Sequence, residues 1–293
     1  YLIAGGNSQA VLDFVMPTAN NTATDELNFV GARATREWLS LPGGPLGLAL
    51  GADFRRKTLD APNSQPAQDG TMGLPGAFAL GKETNTSAYV EISAPVLKSL
   101  ELSAAARVDH YDTYGNSATP KFGFKFTPIK EFALRGTVSR GFRAPAATEN
   151  GVGGSLFAFN NIRDPILCPV SLANGNPDLT AAANVPAFCN FAPVYLQVTS
   201  KDVKPEKSKS LTLGLILEPI KGWSTTLDFY RITVDDQIIP AAALASYDPV
   251  AAGVRGTPQQ VTFGDGSTGL SSVGPIAFST VPYVNGQRTE TSG

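Results

Sequence analysis

The most constraining feature of this chain is a series of long runs in which apolar and polar residues alternate. In one run, Phe122, Phe124 and Phe126 occupy every second position, with lysine, glycine or threonine between and beside them. Successive side chains point to opposite faces of a β-strand, so this spacing gives the strand one apolar and one polar face. The same pattern, with no charged residue on the apolar face, holds in residues 88–97, 100–109, 132–139 and 211–218. The sequence therefore predicts an all-β protein built from antiparallel strands.

Strand length and the rhythm of the connections favour one kind of all-β fold. The runs are about 10 to 13 residues long, whereas globular strands peak near 5 or 6 and a tilted membrane strand needs about 9 to 11. We predict eight strands between residues 25 and 238, joined alternately by tight turns and by long connections. The long connections are placed at 57–86, 144–207 and 239–288. This asymmetry is typical of a transmembrane β-barrel, and a soluble or surface-attached all-β binding module with its apolar face inward remains the alternative.

The charges fit a hydrated barrel interior. Charged residues make up only 16% of the chain and the net charge is −2, which gives no basic field for nucleic acid. The chain contains no run of about 18 apolar residues, the length that a membrane-spanning helix needs. The polar residues expected to face the lumen are Glu91, Glu101, Arg107, Asp109, Lys121, Lys125 and Asp228.

Three cations break the alternation. Arg140 and Lys209 have the parity of apolar residues but lie next to long connections, where a charge on the lipid face costs only about 0 to 1 kcal/mol. Arg231 shares parity with Leu227 and Phe229 and is harder to accommodate. A β-bulge that turns Arg231 to the other face would resolve the conflict.

Cysteine and histidine offer little chemistry. Cys168 and Cys189 are either unrelated free thiols or a disulfide, which would stabilise the enclosed loop by about 3 kcal/mol. A cysteine-based metal site is not expected, because His110, the one histidine, lies far away in sequence. A barrel hydrolase would need His110 beside a loop nucleophile, and we expect instead a solvated histidine at a strand end. We predict no enzyme activity, no cofactor and no metal.

Several stretches, in this order, resemble TonB-dependent outer-membrane receptors. They are "LPGGPLGLALGADFRR" (41–56), "LRGTVSRGFRAP" (134–145), "VKPEKSKSLTLGLILEP" (203–219) and "LDFYRITVDDQI" (227–238). The resemblance covers most of residues 25–240. It implies a 22-stranded barrel around a globular plug, in the outer membrane of a Gram-negative bacterium. Such a receptor imports a scarce nutrient, namely an iron chelate, cobalamin or a saccharide.

The resemblance also sets expectations for this chain. We identify no plug before the strands and no TonB box, so residues 1–293 are expected to be a partial barrel of about eight to ten strands. The expected partners are outer-membrane lipid, a small nutrient, and the TonB complex through the missing N-terminal region. The strand-to-loop motif comprises Arg135, Gly141, Phe142, Arg143, Pro145, Pro205 and Glu206.

Arg143 is placed near the external mouth by this resemblance, where it could pair with a plug acid or with Glu149, or remain solvated. Trp223, beside a tight turn, is the candidate for an interfacial aromatic girdle. Phe229 and Tyr230 either belong to the same girdle or take part in ordinary packing. The long connections also carry aromatic residues that could stack on a sugar or an aromatic chelator, or pack within the loops. These are Phe157, Phe159, Phe188, Phe191 and Tyr195.

Overall fold

The computed structural model describes residues 6–15, 20–65, 77–158 and 161–293. Most of the described chain forms strands. Its elements are α1 (Gln9–Val15), β1 (Thr24–Leu41), β2 (Gly44–Ala61), β3 (Phe78–Leu97), β4 (Leu100–Tyr111), β5 (Gly115–Ile129), β6 (Phe132–Arg143), α2 (Ala147–Asn150), β7 (Val152–Ala158), β8 (Val194–Val198), β9 (Glu206–Ile220), β10 (Trp223–Asp235), β11 (Ile238–Pro240), β12 (Gly253–Arg255), β13 (Gln260–Thr262), β14 (Thr268–Leu270), β15 (Ile276–Asn285) and β16 (Thr289–Ser292). Two 3₁₀ turns cover Pro186–Phe188 and Ala241–Ala243.

Eight long strands form a continuous antiparallel sheet, which we call the wall: β1, β2, β3, β4, β5, β6, β9 and β10. Each strand pairs with the next along this order, and tight turns join every second pair at one end. The predicted all-β antiparallel architecture and the eight strands between residues 25 and 238 are confirmed. The strands are longer than predicted, from 12 residues in β4 to 20 in β3. They continue beyond the apolar runs into polar residues, where alternation gives no signal.

The predicted bounds of the first long connection are wrong, and the other two connections contain strands that were not predicted. β2 extends to Ala61 and β3 begins at Phe78, so the connection predicted at 57–86 shrinks to 62–77, of which residues 66–76 lie outside the described part of the chain. The connection predicted at 144–207 contains α2, β7 and β8, and the one at 239–288 contains β11 to β15. These short strands pair with segments remote in sequence, and a local hydrophobic period cannot reveal such pairing.

The two later connections form a second unit, which we call the cap: residues 144–158, 161–205 and 236–288. Its sheet begins at the N-terminal end of β3 and continues through β7, β8 and β15 to β11. β8 and β15 run parallel, with Phe278 opposite Val194, which joins the two connections in one ladder. The cap therefore runs from β3 to β11, which begins three residues after the end of β10.

The two faces of the wall differ in what covers them. Phe122 is 61% exposed and Leu213 is 42% exposed on the apolar face, and no second layer of the described chain lies over them. The fully buried side chains, including Val281 and Cys168, belong instead to the cap. An uncovered apolar face on a sheet of this size fits a wall bounded by lipid, because apolar surface this extensive is rarely left in water.

Arg231 remains on the apolar face. The register between β9 and β10 is continuous from Thr225 to Asp235, so no bulge turns Arg231 to the other face. An ion pair with Glu290 of β16, at 3.3 Å, partly neutralises the guanidinium instead. Tyr230 lies opposite Thr212 on the polar face, so its assignment to an outer aromatic girdle is wrong, whereas Phe229 and Trp223 are exposed.

Among the described residues, no helix has both the length and the apolar character needed to cross a membrane.

Candidate functional site

The polar face of the wall carries a charge network centred on Arg107. Its guanidinium donates to Asp53 at 3.0 Å, to Asp109 at 3.0 Å and to the Ser87 hydroxyl at 2.7 Å. The same group lies 5.9 Å from the centre of the Tyr89 ring. That ring covers Gly51, where any side chain would collide with it. Arg107 is therefore held in one position by β2, β3 and β4 together.

A second ion pair spans three strands. Arg135 of β6 donates to Asp228 of β10 at 2.8 Å, although β9 lies between them. Gly214 of β9 is opposite both residues, and a side chain there would occupy the space in which the two charges meet. Because both partners are about half exposed, this pair orders the surface more than it stabilises the fold.

The structure places all the polar residues predicted for the lumen on this one face, as their register shows. Glu101 accepts a hydrogen bond from Ser93 at 3.1 Å. Within the described residues, Glu91, Lys121 and Lys125 have neither a hydrogen bond nor an ion pair from their side chains. Glu91 and Lys121 flank a groove of about 620 Å³ whose floor consists of small residues such as Ala49 and Ala105. A molecule bound in the groove would contact these two charged side chains and the small residues between them.

The strand-to-loop motif forms a three-residue cluster where the wall meets the cap. Arg143 donates to Glu149 at 2.9 Å and to Glu206 at 2.7 Å. Glu149 also accepts from the backbone N–H of Ala146, and Glu206 from that of Ile238. Of the alternatives open for Arg143, the structure shows pairing with Glu149. The cluster connects β6, α2, β9 and β11.

The remaining motif residues support this junction. The Ser208 hydroxyl lies 2.7 Å from the position that a side chain on Gly141 would take, so close packing explains the glycine. Phe142 packs edge-on against Tyr111, with ring centres 5.9 Å apart. Pro145 is fully buried where β6 ends, and Pro205 immediately precedes β9.

Two bonds hold the cap together. Cys168 and Cys189 form a disulfide, so the alternative of two free thiols is wrong. Asp164 is completely buried and accepts from Arg255 at 2.7 and 2.9 Å, which joins the two halves of the cap. Burial acts to raise the pKa of Asp164, but hydrogen bonds from Arg255 and from the backbone of Ile166 and Leu167 outweigh it and lower the pKa below its usual value.

The loop aromatics pack on one another. Phe157 stacks on Tyr195 at 5.6 Å, and Tyr195 in turn lies 6.4 Å from Tyr247. Phe188 and Phe191 meet edge to face at 5.6 Å. Phe159 lies outside the described residues. Packing within the cap accounts for these rings, and ligand stacking is not needed to explain them.

Catalytic and metal-binding arrangements have no structural support in the described part of the chain. His110 is exposed at the end of β4, and its Nδ1 atom lies 2.8 Å from the side-chain oxygen of Asn116 rather than near a carboxylate. Among the described residues, no group of three or more histidine, cysteine, aspartate or glutamate side chains could hold a metal ion.

Sequence reasoning missed several residues of these networks. Asp53 and Ser87 have the parity of the polar face, and extending the alternation test to β2 would have found Asp53. Asp164 and Arg255 are 91 residues apart in irregular segments, and no periodicity could have paired them.

Comparisons with known proteins agree with this geometry. A family model described as "TonB dependent receptor-like, beta-barrel" matches residues 4–291. The ferric enterobactin receptor PirA of Pseudomonas aeruginosa is 24% identical over 199 residues, which cover 66% of this chain and 24% of PirA.

Two solved structures show the same fold. The crystal structure of the siderophore receptor PirA from Pseudomonas aeruginosa superposes with a TM-score of 0.58 at 16% identity, covering 93% of this chain and 39% of that one. That of the ferric enterobactin receptor PfeA (mutant R480A) from Pseudomonas aeruginosa, in complex with enterobactin, gives 0.61 at 15% identity, covering 92% and 33%. The chain thus spans well under half the length of the proteins it matches.

Proposed function

Because this chain belongs to the family of TonB-dependent receptor β-barrels, we propose that it forms part of an outer-membrane receptor that imports an iron chelate. Members of the family are outer-membrane transporters of Gram-negative bacteria and not enzymes. One structural observation carries the proposal: a sheet with an uncovered apolar face on one side, a charged face on the other and a folded cap at one end. That arrangement suits a wall between lipid and a hydrated passage.

Iron chelates are favoured over the other nutrients by two observations. The relatives named above are receptors for siderophores, including ferric enterobactin. In addition, Lys121 and Lys125 lie on the polar face without a partner among the described residues, and Lys121 borders the groove. Ferric complexes of catecholates are anionic, so unpaired cations along a narrow passage attract them. Cobalamin and saccharides lack support of this kind.

The proposed mechanism places ligand capture at the cap and energy coupling elsewhere. The chelate would bind between the cap and the polar face of the wall, and TonB would supply the energy for its import. Outer-membrane lipid would cover Phe122, Leu213 and their neighbours. The Arg143–Glu149–Glu206 cluster would keep the cap fixed to the wall while the ligand passes.

Uptake of radioactive iron tests the proposal. In a strain without other siderophore receptors, the gene should restore iron uptake from a ferric catecholate chelate, and loss of TonB should abolish that uptake. Cyanocobalamin and maltodextrin uptake should not change. Restoration of growth on a saccharide or on cobalamin, with no iron uptake from ferric chelates, would show that the substrate class is wrong.

A further inference from the structure

Two cations face each other on the apolar side of the wall. Arg140 of β6 is directly opposite Lys209 of β9, and both side chains are exposed. Like charges in directly opposed positions of a sheet repel each other and destabilise the pair. Arg140 has no ion pair within the described residues, and the nearest acid to Lys209 is Asp235 at 3.8 Å. Among the described residues, Lys209 therefore has one long ion pair and Arg140 has none.

The neighbouring charges leave this corner positive. Asp235 is already held by Arg288 at 2.6 Å, which weakens its effect on Lys209. Arg231, two residues from the level of Lys209 along β10, is paired with Glu290 at 3.3 Å. Lys207, next to Lys209 on the same face, adds a further positive charge. Cations thus outnumber acids at the cap end of β6, β9 and β10.

An apolar depression lies directly beside the cation pair, on the side away from the cap. It has a volume of about 300 Å³, and its lining includes Gly136, against which the Phe124 ring packs. Val138 and Leu211, which are opposite each other, form its edge nearest the cations. Arg140 and Lys209 are the next opposed pair on the same face, two residues along each strand. The depression is lined by the side chains of Leu102, Phe122, Phe124, Val138, Leu211 and Leu213.

From this juxtaposition we infer that the outer side of the wall binds one phosphate-bearing lipid, with its phosphate between Arg140 and Lys209 and an acyl chain in the depression. An arginine and a lysine on one phosphate form charge-assisted hydrogen bonds, and the phosphate converts their repulsion into attraction. The acyl chain covers apolar surface that the chain itself leaves open. The inference rests on the proposed membrane location, since it needs a lipid leaflet at the cap end of the strands.

Native mass spectrometry of the detergent-purified receptor tests this site. Phosphatidylglycerol and diacylglycerol, which lacks the phosphate, are compared as ligands with identical acyl chains. We expect the wild-type receptor to retain phosphatidylglycerol more tightly, and Arg140→Gln with Lys209→Gln to weaken that binding by about tenfold or more, since each cation near a lipid surface contributes roughly 1 kcal/mol. The matched control is Lys121→Gln with Lys125→Gln, which removes the same charge from the polar face and should leave binding unchanged.

A second variant isolates the acyl chain. Val138→Trp fills the depression without changing a charge, and we expect it to weaken retention of phosphatidylglycerol as well. Excess inorganic phosphate should not displace the lipid. Equal retention of the two lipids, equal losses in the test and control variants, or displacement by phosphate alone would each overturn the inference. Location is read separately: a receptor absent from membrane fractions contradicts the proposed function, whereas a membrane-bound receptor without lipid preference contradicts only this site.

Discussion

In the wall, Phe122 and Leu213 lie open on one face, whereas in the cap Val281 and Cys168 are sealed from solvent. The wall is held by ladders of backbone hydrogen bonds between long neighbouring strands, and its side chains meet mainly within each face. The cap has short strands and irregular segments, and it holds them with a buried core, a disulfide and a buried ion pair.

The two regions therefore exclude water by different means. The wall leaves its apolar surface for lipid to cover, so it needs no second protein layer. The cap contacts water and must bury its own apolar groups, as a small secreted domain does. Substitutions should therefore affect the two regions independently, and through different physical terms.

The largest expected effect is on the cap. Arg255→Ala leaves the completely buried Asp164 without its counter-charge, and we expect a loss of about 3 to 5 kcal/mol of cap stability. Hydrogen exchange over residues 161–189 would report the loss, while the wall strands keep their protection. Arg288→Ala removes an arginine from a solvent-screened pair and is the control, with a much smaller expected effect. Faster exchange throughout the wall would contradict the separation of the two regions.

A charge introduced on the apolar face should destabilise the wall. Leu213 lies at the middle of β9, and we expect Leu213→Lys to lower the free energy of unfolding in a bilayer by about 2 to 4 kcal/mol. Refolding into lipid vesicles across a denaturant series measures the change. Thr212→Lys, on the polar face of the same strand, should have little effect. If both variants lose the same stability, lipid does not distinguish the two faces.

The disulfide should matter to the cap alone. Replacing Cys168 and Cys189 by serine opens a loop of 21 residues, and we expect a loss of about 3 kcal/mol of local stability. Limited proteolysis should then cut between the two positions, while heat-modifiable gel migration of the barrel is preserved. A barrel that no longer folds after this substitution would show that cap and wall form one cooperative unit.

The smallest effect is expected for the exposed pair across Gly214. A double-mutant cycle with Arg135→Ala and Asp228→Ala should give a coupling below about 1 kcal/mol, because both side chains are about half exposed. The equivalent cycle on Asp164 and Arg255 in the cap should give a coupling several times larger. Similar values in the two cycles would contradict the contrast in burial between wall and cap.

The same contrast explains what the sequence could predict. The alternation of Phe122, Phe124 and Phe126 is a local signal, and it predicted the strands, their faces and the placement of Arg107 and Asp109. Arg143 was expected near the external mouth, with Glu149 as one of its possible partners, and that pairing is observed. Arg231 was left unexplained by the sequence because its counter-charge, Glu290, belongs to β16, a strand whose pairing with β10 local periodicity does not show.

The cap was largely unpredictable for a physical reason. Its contacts join segments far apart in the chain, such as Asp164 with Arg255 and Val194 with Phe278. Apart from β7 and β15, its strands have only three to five residues and are too short to show a period. The aromatic residues give the same composition whether they face a ligand or one another. The two cysteines were the exception, since their number and spacing already allowed the disulfide.

The parallel ladder between β8 and β15 has a consequence for protein engineering. Each strand comes from a different connection, so neither connection can adopt its present form without the other. Grafting a single connection from a related receptor would replace only one strand of this ladder. The strand that remains would face a partner of foreign sequence. A chimera with altered specificity should exchange residues 144–205 and 236–288 as one matched set.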